Sequence, residues 1–335
     1  MAGQDGPFAV AVSGGSDSLA LMHLLAAFAR AQKLGPPLVL TVDHGLRPES
    51  AKDAKRVAAW AKQAGLKTTI LSWRGPKPTS GIEAGAREAR YRLMGAWLVK
   101  KKIGTLFVGH TEDDQAETFL LRLARGSGLD GLSAMQARVS WPVEGFERLA
   151  VARPLLTFGR QALRDYLTAL GQPWVDDPMN EDPGFDRVKI RKARAELAEA
   201  GLSSARIAAA ASHLARAREA LEVVTAAVLA RAVRRPSTKS EEGVLLESQV
   251  LAAAPREVGL RALAAVLMAV GGQAYRPRFE SLERLYDRVA QGGFRGGATL
   301  HGCQVSPAPK NFAPYDLWVR TEMPRKTGGS RRDAK

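Results

Sequence analysis

Residues 13–18, Ser-Gly-Gly-Ser-Asp-Ser, have the composition of a phosphate-binding loop. The apolar residues 8–12 before them predict a short buried strand, and residues 19–25 after them predict a helix. A glycine-rich turn between a strand and a helix gathers backbone N–H groups at the positive end of that helix. The sequence therefore predicts an anion site at this turn.

The loop residues divide by what each can offer to a phosphate. Gly14 and Gly15 lack side chains, so the backbone can come close to phosphate oxygens. Ser13, Ser16 and Ser18 add hydroxyl donors. We predict that these five residues bind a nucleotide.

Asp17 is the acidic member of the loop. A carboxylate beside phosphates is repulsive unless a cation such as Mg²⁺ joins them, so Asp17 is the predicted metal ligand. The loop is not a Walker A motif, because no Gly-Lys-Ser/Thr closes it. The alternative is an ordinary serine-rich helix cap, which the hexapeptide alone favours less than nucleotide binding.

The elements that position this loop follow an α/β pattern. Such alternation predicts a doubly wound, mostly parallel sheet with ligands at the carboxyl ends of its strands. Asp43, His44 and residues 110–114 also follow predicted strands. Strands are predicted at residues 8–12, 38–42, 68–73 and 105–108, and helices at residues 19–25, 51–64, 82–102 and 113–124.

The second half of the chain predicts mainly helices, at residues 159–170, 203–235, 260–270 and 279–289. We expect a catalytic ATP-binding domain at 1–202, followed by a helical bridge and linker at 203–243. A smaller, mainly helical C-terminal domain that binds tRNA is expected at 244–323, before a basic, disordered tail at 324–335.

Composition restricts the partners. The 335 residues carry a formal net charge of +15, which favours a polyanionic partner, and aromatic residues make up only 6%, which disfavours a stacking platform for single strands. One cysteine, Cys303, excludes an internal disulfide and a cysteine metal cluster. No signal peptide or membrane-spanning run is found, so we expect a cytoplasmic protein without a membrane partner.

The loop resembles that of the ATP pyrophosphatase superfamily, and further motifs narrow the resemblance. In their order and spacing the motifs resemble the tRNA(Ile)-lysidine synthetases over residues 8–195. One departure is Val188, where that family usually has asparagine after the arginine. The matching segments are residues 13–18, 42–47, 83–91, 109–118, 125–129, 153–156 and 174–180.

The resemblance implies a reaction in two steps. ATP would adenylate the C2 oxygen of the wobble cytidine in an isoleucine tRNA with a CAU anticodon, releasing pyrophosphate. The ε-amine of free L-lysine would then attack C2 and expel AMP. The lysidine so formed reads AUA, and the tRNA would accept isoleucine in place of methionine. The oligomeric state is left open, and a dimer is one state that the sequence allows.

The resemblance also assigns residues to these steps. Asp17, Asp114, Glu117 and Arg191 are expected to be catalytic. The lysine amine has an ordinary pKa of about 10.4 and must lose a proton, which nearby carboxylates could accept. Substrate binding is expected at Asp113, Asp114, Glu117, Arg187 and Arg191, and nucleotide binding at Ser13, Gly14, Gly15, Ser16, Asp17, Ser18, Asp43, His44 and His110.

Each assignment has a structural alternative. Asp114 and Glu117 have the spacing of a capping box and could serve only to begin a helix. Arg187 and Arg191 could form a solvated basic face on a helix. Histidines at strand ends are more often hydrogen-bonded structural groups than catalysts, so His44 and His110 are expected to neighbour the nucleotide.

Three other functions compete with the expected one. A tRNA thiolase on the same loop would need cysteines in pairs or as cluster ligands, and the chain has one cysteine. A glutamine-fed synthetase for a small molecule would need a glutaminase or ammonia source, and would not need the basic charge. A non-catalytic RNA-binding protein would have no need of the complete loop at 13–18 or of residues 110–118.

Overall fold

The computed structural model describes residues 7–75, 77–78, 80–176, 186–236, 242–273, 275–292 and 294–322, with backbone alone at 83, 186 and 187. The expectations for residues 177–180, for most of the linker and for the tail lie outside this part of the chain. Two compact units divide the chain, at 1–215 and 216–335. The finer domain limits derived from the sequence stay predictions.

The first unit alternates strands and helices. The strands are β1 (Ala9–Ala11), β2 (Leu38–Asp43), β3 (Thr68–Ser72), β4 (Thr105–Phe107), β5 (Arg138–Ser140) and β6 (Ala150–Ala152). The helices are α1 (Ser16–Ala31), α2 (Ser50–Gln63), α3 (Ile82–Lys101), α4 (Glu112–Ala124), α5 (Leu129–Leu132), α6 (Arg160–Ala169), α7 (Asp186–Lys192) and α8 (Arg194–Glu199). Helix α9 (Ser204–Ala232) begins in this unit and ends in the second.

The described strands of the first unit form one sheet in the order β3-β2-β1-β4-β6-β5. Neighbours from β3 to β6 are parallel, and β5 pairs with β6 in the antiparallel sense. The chain leaves β1 toward β2 and later returns to the other side of β1 as β4. The order therefore reverses between β1 and β4, which is where ligands bind in doubly wound folds.

Apolar side chains cover both faces of this sheet. Along β1, Ala9 and Val10 point to opposite faces, as successive strand residues must, and each joins a different core. Val10 packs with residues of α1, α2 and α6, whereas Ala9 packs with residues of α3 and of β4 and β6. Helices on both faces confirm the predicted doubly wound, mostly parallel sheet.

The predicted elements at residues 8–125 are confirmed, with small shifts at their ends. Helix α1 begins at Ser16, so the last three loop residues form its first turn. Strand β5 was not predicted, because its three residues, Arg138–Ser140, are mostly polar and pair with β6 alone. No helix in the described residues is long and apolar enough to span a membrane.

The second unit combines helices with an antiparallel sheet in the order β7-β8-β11-β10-β9. The predicted helices at 260–270 and 279–289 are confirmed, but the sequence analysis did not include the sheet. The elements are β7 (Val233–Arg234), β8 (Val244–Leu246), α10 (Ser248–Ala252), α11 (Arg256–Gly271), α12 (Phe279–Ala290), β9 (Ala298–Leu300), β10 (Cys303–Pro307), a 3-10 turn (Lys310–Phe312) and β11 (Leu317–Thr321).

Candidate active site

The loop at 13–18 joins β1 to α1 in a compact, hydrogen-bonded turn. Gly14 has a φ of +97°, which glycine adopts without the strain that other residues would have. The hydroxyl of Ser18 donates to the carbonyl of Gly15 at 2.9 Å and accepts from the amide of Ser13 at 3.2 Å. Ser18 is therefore bound inside the loop, while the N–H groups of the first turn of α1 lie at its positive end.

Asp17 stands in the first turn of α1, and its carboxylate has two close partners. The Ser16 hydroxyl donates to Oδ1 at 3.1 Å, and Nε of Arg160 donates to Oδ2 at 2.9 Å. Burial raises the pKa of Asp17 above its ordinary value, although the positive charge of Arg160 acts in the opposite direction.

The loop after β4 touches the loop after β1 through Gly109. A Cβ atom at this position would lie 2.9 Å from the carbonyl oxygen of Asp17 and 3.0 Å from the amide nitrogen of Ser18. Both are backbone atoms that cannot rotate away. Only glycine allows the two loops to approach this closely, so the loops at the reversal of the sheet are held together.

Helix α4 brings the second group of carboxylates to this place. Thr111 caps the helix: its hydroxyl accepts from the Asp114 amide at 3.4 Å, and Oδ2 of Asp114 accepts from the Thr111 amide at 2.8 Å. The capping box thus pairs Thr111 with Asp114, one turn before the Asp114–Glu117 pair considered from the sequence. Glu117 is 2% exposed, one turn further into the helix.

Three arginines neutralise these carboxylates. Arg191 donates to both oxygens of Glu117, from Nε at 2.6 Å and from Nη2 at 3.1 Å. Arg194 binds Asp113 and also donates to the Ser204 hydroxyl at 3.1 Å. The backbone amide of Arg160 donates to the other oxygen of Asp113 at 2.6 Å.

The sequence analysis predicted one of these three arginines as a site residue and missed the other two. Arg191 was predicted. Arg160 and Arg194 were not, because their neighbours in sequence give no motif and their carboxylate partners lie 43 to 143 positions away. The side chain of Arg187 lies outside the described residues.

Asp43 and His44, which were predicted to lie near the nucleotide, form hydrogen bonds within the loop between β2 and α2. Oδ1 of Asp43 accepts from the Ser50 hydroxyl at 2.6 Å and from the Gly45 amide at 3.1 Å. Nδ1 of His44 accepts from the Leu46 amide at 3.2 Å. These contacts fix the β2–α2 loop at the same edge of the sheet as the loop after β1.

His110 is held by Arg153. This arginine belongs to the segment 153–156 that matches the family, but the sequence analysis gave it no role. Nε of the buried Arg153 donates to Nδ1 of His110 at 3.2 Å, and its Nη1 donates to the Gln136 carbonyl at 2.9 Å. Burial lowers the pKa of Arg153, yet a guanidinium remains protonated and is always the donor. Nδ1 of His110 therefore carries no hydrogen, which leaves Nε2 as the N–H donor.

A cavity of about 670 Å³ opens beside α4 in the first unit. Asp113, Glu117, Arg160 and Arg194 line it, and Leu120 with other apolar residues supplies the rest of its wall. The cavity has room for an amino acid next to the buried carboxylates.

The described residues contain no group of three or more His, Cys, Asp or Glu side chains arranged to hold a metal ion. A magnesium ion bound with a nucleotide does not need such a group, since one or two carboxylates and the phosphates complete its coordination. Asp17, in the first turn of α1 beside the phosphate loop, fits that pattern as a hard oxygen ligand.

The chain matches the PP-loop domain family over residues 3–197, more than half of its length. A protein named tRNA(Ile)-lysidine synthase from Methylobacterium nodulans is 41% identical over 325 residues, covering 93% of either chain. The chain belongs to the tRNA(Ile)-lysidine synthase family. Membership in this family places it among the ATP-binding ligases, and confirms the family resemblance seen in the sequence.

Two further members of the family are longer than this chain. The protein of the same name from Wolbachia pipientis wMel is 37% identical over 305 residues, covering 91% of this chain and 69% of the relative. That from Ruegeria pomeroyi is 44% identical over 272 residues, covering 80% of this chain and 62% of the relative.

One solved structure has a fold similar to that of this chain. The U34-tRNA thiolase NcsA from Methanococcus maripaludis aligns with a TM-score of 0.52 at 15% identity, covering 64% of this chain and 74% of that one. At this identity the similarity shows a common fold and does not transfer the thiolase chemistry.

Proposed function

We propose that the protein joins free L-lysine to C2 of the wobble cytidine in an isoleucine tRNA with a CAU anticodon. ATP is consumed to AMP and pyrophosphate through an adenylated cytidine. The observation that carries this proposal is the meeting of two sets of side chains at the sheet reversal: Asp17 of the phosphate loop and Asp114 of α4 bind the same guanidinium.

The adenylation step uses the loop at 13–18. The N–H groups at the start of α1 would bind the phosphates, the hydroxyl of Ser18 holds the loop in shape, and Asp17 would hold Mg²⁺. When bound, Mg²⁺ neutralises the charge that develops on the departing pyrophosphate. Arg153 holds His110 at the carboxyl end of β4, the edge of the sheet where the nucleotide is proposed to bind.

The second step needs a group that binds the lysine ammonium and takes its proton. Glu117 already accepts two hydrogen bonds from Arg191, and Asp113 is bound by Arg194 and by the Arg160 amide. Oδ2 of Asp114 accepts from the amide and the hydroxyl of Thr111, whereas its Oδ1 accepts one long contact of 3.4 Å from Arg160 and is the more weakly held oxygen. We therefore assign the ammonium and its proton to Asp114, and assign to Glu117 the positioning of Arg191.

The tRNA provides the polyanion that the composition favours. A net charge of +15 supports many phosphate contacts, and each contact releases counterions. Binding of tRNA by the full chain should therefore weaken steeply as salt rises. A filter-binding or anisotropy titration at several salt concentrations tests this, and an affinity that does not depend on salt would contradict it.

The thiolase alternative depends on cysteine chemistry. Cys303 is the only cysteine of the sequence, and it is fully buried in β10 of the second unit. Its thiol donates to the Leu267 carbonyl at 3.2 Å, and burial raises its pKa to about 11. A buried neutral thiol is a poor nucleophile and metal ligand, so these features favour the ligase.

Pyrophosphate release from ATP, measured with and without tRNA and lysine, tests the proposal. We expect release to require Mg²⁺ and a tRNA with the CAU anticodon, and we expect lysine to enter the RNA. Release with that tRNA but incorporation of sulfur would support the thiolase. Binding of tRNA with no release of pyrophosphate would support the non-catalytic alternative.

A further inference from the structure

Arg160 occupies the centre of the acidic site although it belongs to neither of the motifs that form it. It is the first residue of α6, and its backbone amide binds Asp113 on α4. Its guanidinium extends between α1 and α4, with the side chain 20% exposed. An arginine in this position is ordered by the contacts at both ends.

Each nitrogen of the guanidinium faces a different carboxylate. Nε lies 2.9 Å from Oδ2 of Asp17, Nη2 lies 3.4 Å from Oδ1 of Asp114, and Nη1 lies 3.8 Å from Oε1 of Glu117. These negative charges raise the pKa of Arg160 against the effect of its burial. The group is a permanent cation placed where the site has most negative charge.

The three carboxylates depend on Arg160 to different degrees. Glu117 has Arg191 as a second cationic partner. Within the described part of the chain, Asp17 and Asp114 have Arg160 as their cationic partner. Without a ligand, Arg160 is the charge that balances these two aspartates.

We propose that Arg160 stands in for the divalent cation in the free protein and leaves Asp17 when that cation binds. The inference rests on the proposed metal site at Asp17. A magnesium ion lies about 2.1 Å from its carboxylate ligands, and a guanidinium on the same oxygen would place two cations side by side. Arg160 keeps Asp114 and Glu117 as partners after it releases Asp17, so it moves between carboxylates and does not become unpaired.

A purely structural role for Arg160 has the opposite consequence for metal affinity. If the arginine only held Asp17 in place, its removal would loosen the site and weaken metal binding. If it competes with the metal, its removal lowers the cost of binding. The sign of the change in affinity therefore distinguishes the two roles.

The test is a titration of the full chain with Mn²⁺ in the absence of nucleotide, followed by electron paramagnetic resonance. We expect Arg160→Gln to bind Mn²⁺ on the order of tenfold more tightly than the wild type, since it removes a charge a few ångströms from the metal. Arg160→Lys keeps a charge and should stay near the wild type. An affinity of Arg160→Gln equal to or weaker than the wild type would overturn the proposal.

Two further variants make the result specific. Arg164→Gln is the matched control. Arg164 lies one turn after Arg160 on α6 and pairs with the exposed Asp176, so its substitution removes the same charge outside the acidic site. This variant should bind Mn²⁺ like the wild type. Adding Asp17→Asn to Arg160→Gln should abolish the gain, and a gain that persists would show that the metal binds elsewhere.

A measurement on the wild-type protein covers the case in which Arg160→Gln does not fold. The ¹⁵N signal of the Arg160 Nε–H group, assigned by its loss in Arg160→Lys, should move when Mg²⁺ is added, and an unchanged signal would overturn the proposal. Neither experiment contains tRNA or lysine. A failed lysine transfer together with the expected Mn²⁺ result would thus reject the proposed function and leave the role of Arg160 standing.

Discussion

Arg191 donates two hydrogen bonds to the carboxylate of Glu117, at 2.6 and 3.1 Å, across 74 positions of sequence. Glu117 is 2% exposed, so its charge depends on this partner. The pair fastens α7 to the middle of α4, next to the residues proposed to bind lysine. This ion pair therefore contributes both to the fold of this segment and to the charge balance of the site.

Arg191→Gln should destabilise the protein by about 3–5 kcal/mol, because it leaves a buried carboxylate without its main partner. The double variant Glu117→Gln with Arg191→Gln should recover part of that loss, since no buried charge remains. Urea unfolding measures both. Arg164→Gln breaks an exposed pair and should cost no more than about 1 kcal/mol. A double variant less stable than Arg191→Gln would contradict this account of the pair.

Asp17→Asn should abolish the release of pyrophosphate and leave the fold intact, because an amide cannot balance the charge of a metal ion beside phosphates. The assay is pyrophosphate release in the presence of ATP, Mg²⁺ and tRNA, with circular dichroism to check folding. Asp165→Asn, a change on the outer face of α6, should retain activity. Near wild-type release by folded Asp17→Asn would remove Asp17 from the mechanism.

The raised pKa of Asp17 also predicts how stability depends on pH. The folded protein keeps the Asp17 proton to a higher pH than the unfolded chain does, for which the pKa is near the ordinary value of 3.8. The free energy of unfolding contributed by this group is therefore lost as pH rises through the folded pKa.

Asp17→Asn removes this contribution, so its stability relative to the wild type should increase from about pH 4 upward and then level off. Urea unfolding of the two proteins over this range provides the comparison. A relative stability that falls as pH rises would mean that Arg160 dominates and that the pKa of Asp17 is lowered.

Gly109→Ala should impair activity and lower stability by about 1–3 kcal/mol, because the new Cβ would press on the backbone of Asp17 and Ser18. Gly104→Ala is the matched control: this glycine precedes the same strand, and a Cβ there meets nothing within 4 Å. Thermal unfolding and pyrophosphate release are the two measurements. Equal behaviour of the two variants would show that the loops do not depend on this contact.

The parts of the site that depend on local sequence could be predicted. The loop at 13–18 and the start of α4 are specified by turn residues, apolar strands and caps within a few positions, and the structure places them side by side. Asp114 illustrates the limit of this approach. Its spacing to Glu117 suggested a capping box, but its partner in the capping box is Thr111, the N-cap residue.

The remaining parts depend on contacts between distant segments. Arg160 lies 143 positions from Asp17, and nothing near it in the sequence indicates that it turns toward the loop. The strands of the second unit are as short as two residues, so their apolar pattern is too brief to separate a strand from a loop. Their pairing becomes visible only once the chain is folded.

The transfer of labelled lysine to tRNA tests the central claim most directly. We expect lysine to become linked to RNA only with ATP, Mg²⁺ and an isoleucine tRNA bearing the CAU anticodon. Glu117→Gln should reduce the transfer strongly, because it weakens the contact that holds Arg191 in the site. If glutamine or ammonia supports modification of the tRNA while lysine does not, the assignment of lysine is wrong even if the nucleotide site is correct.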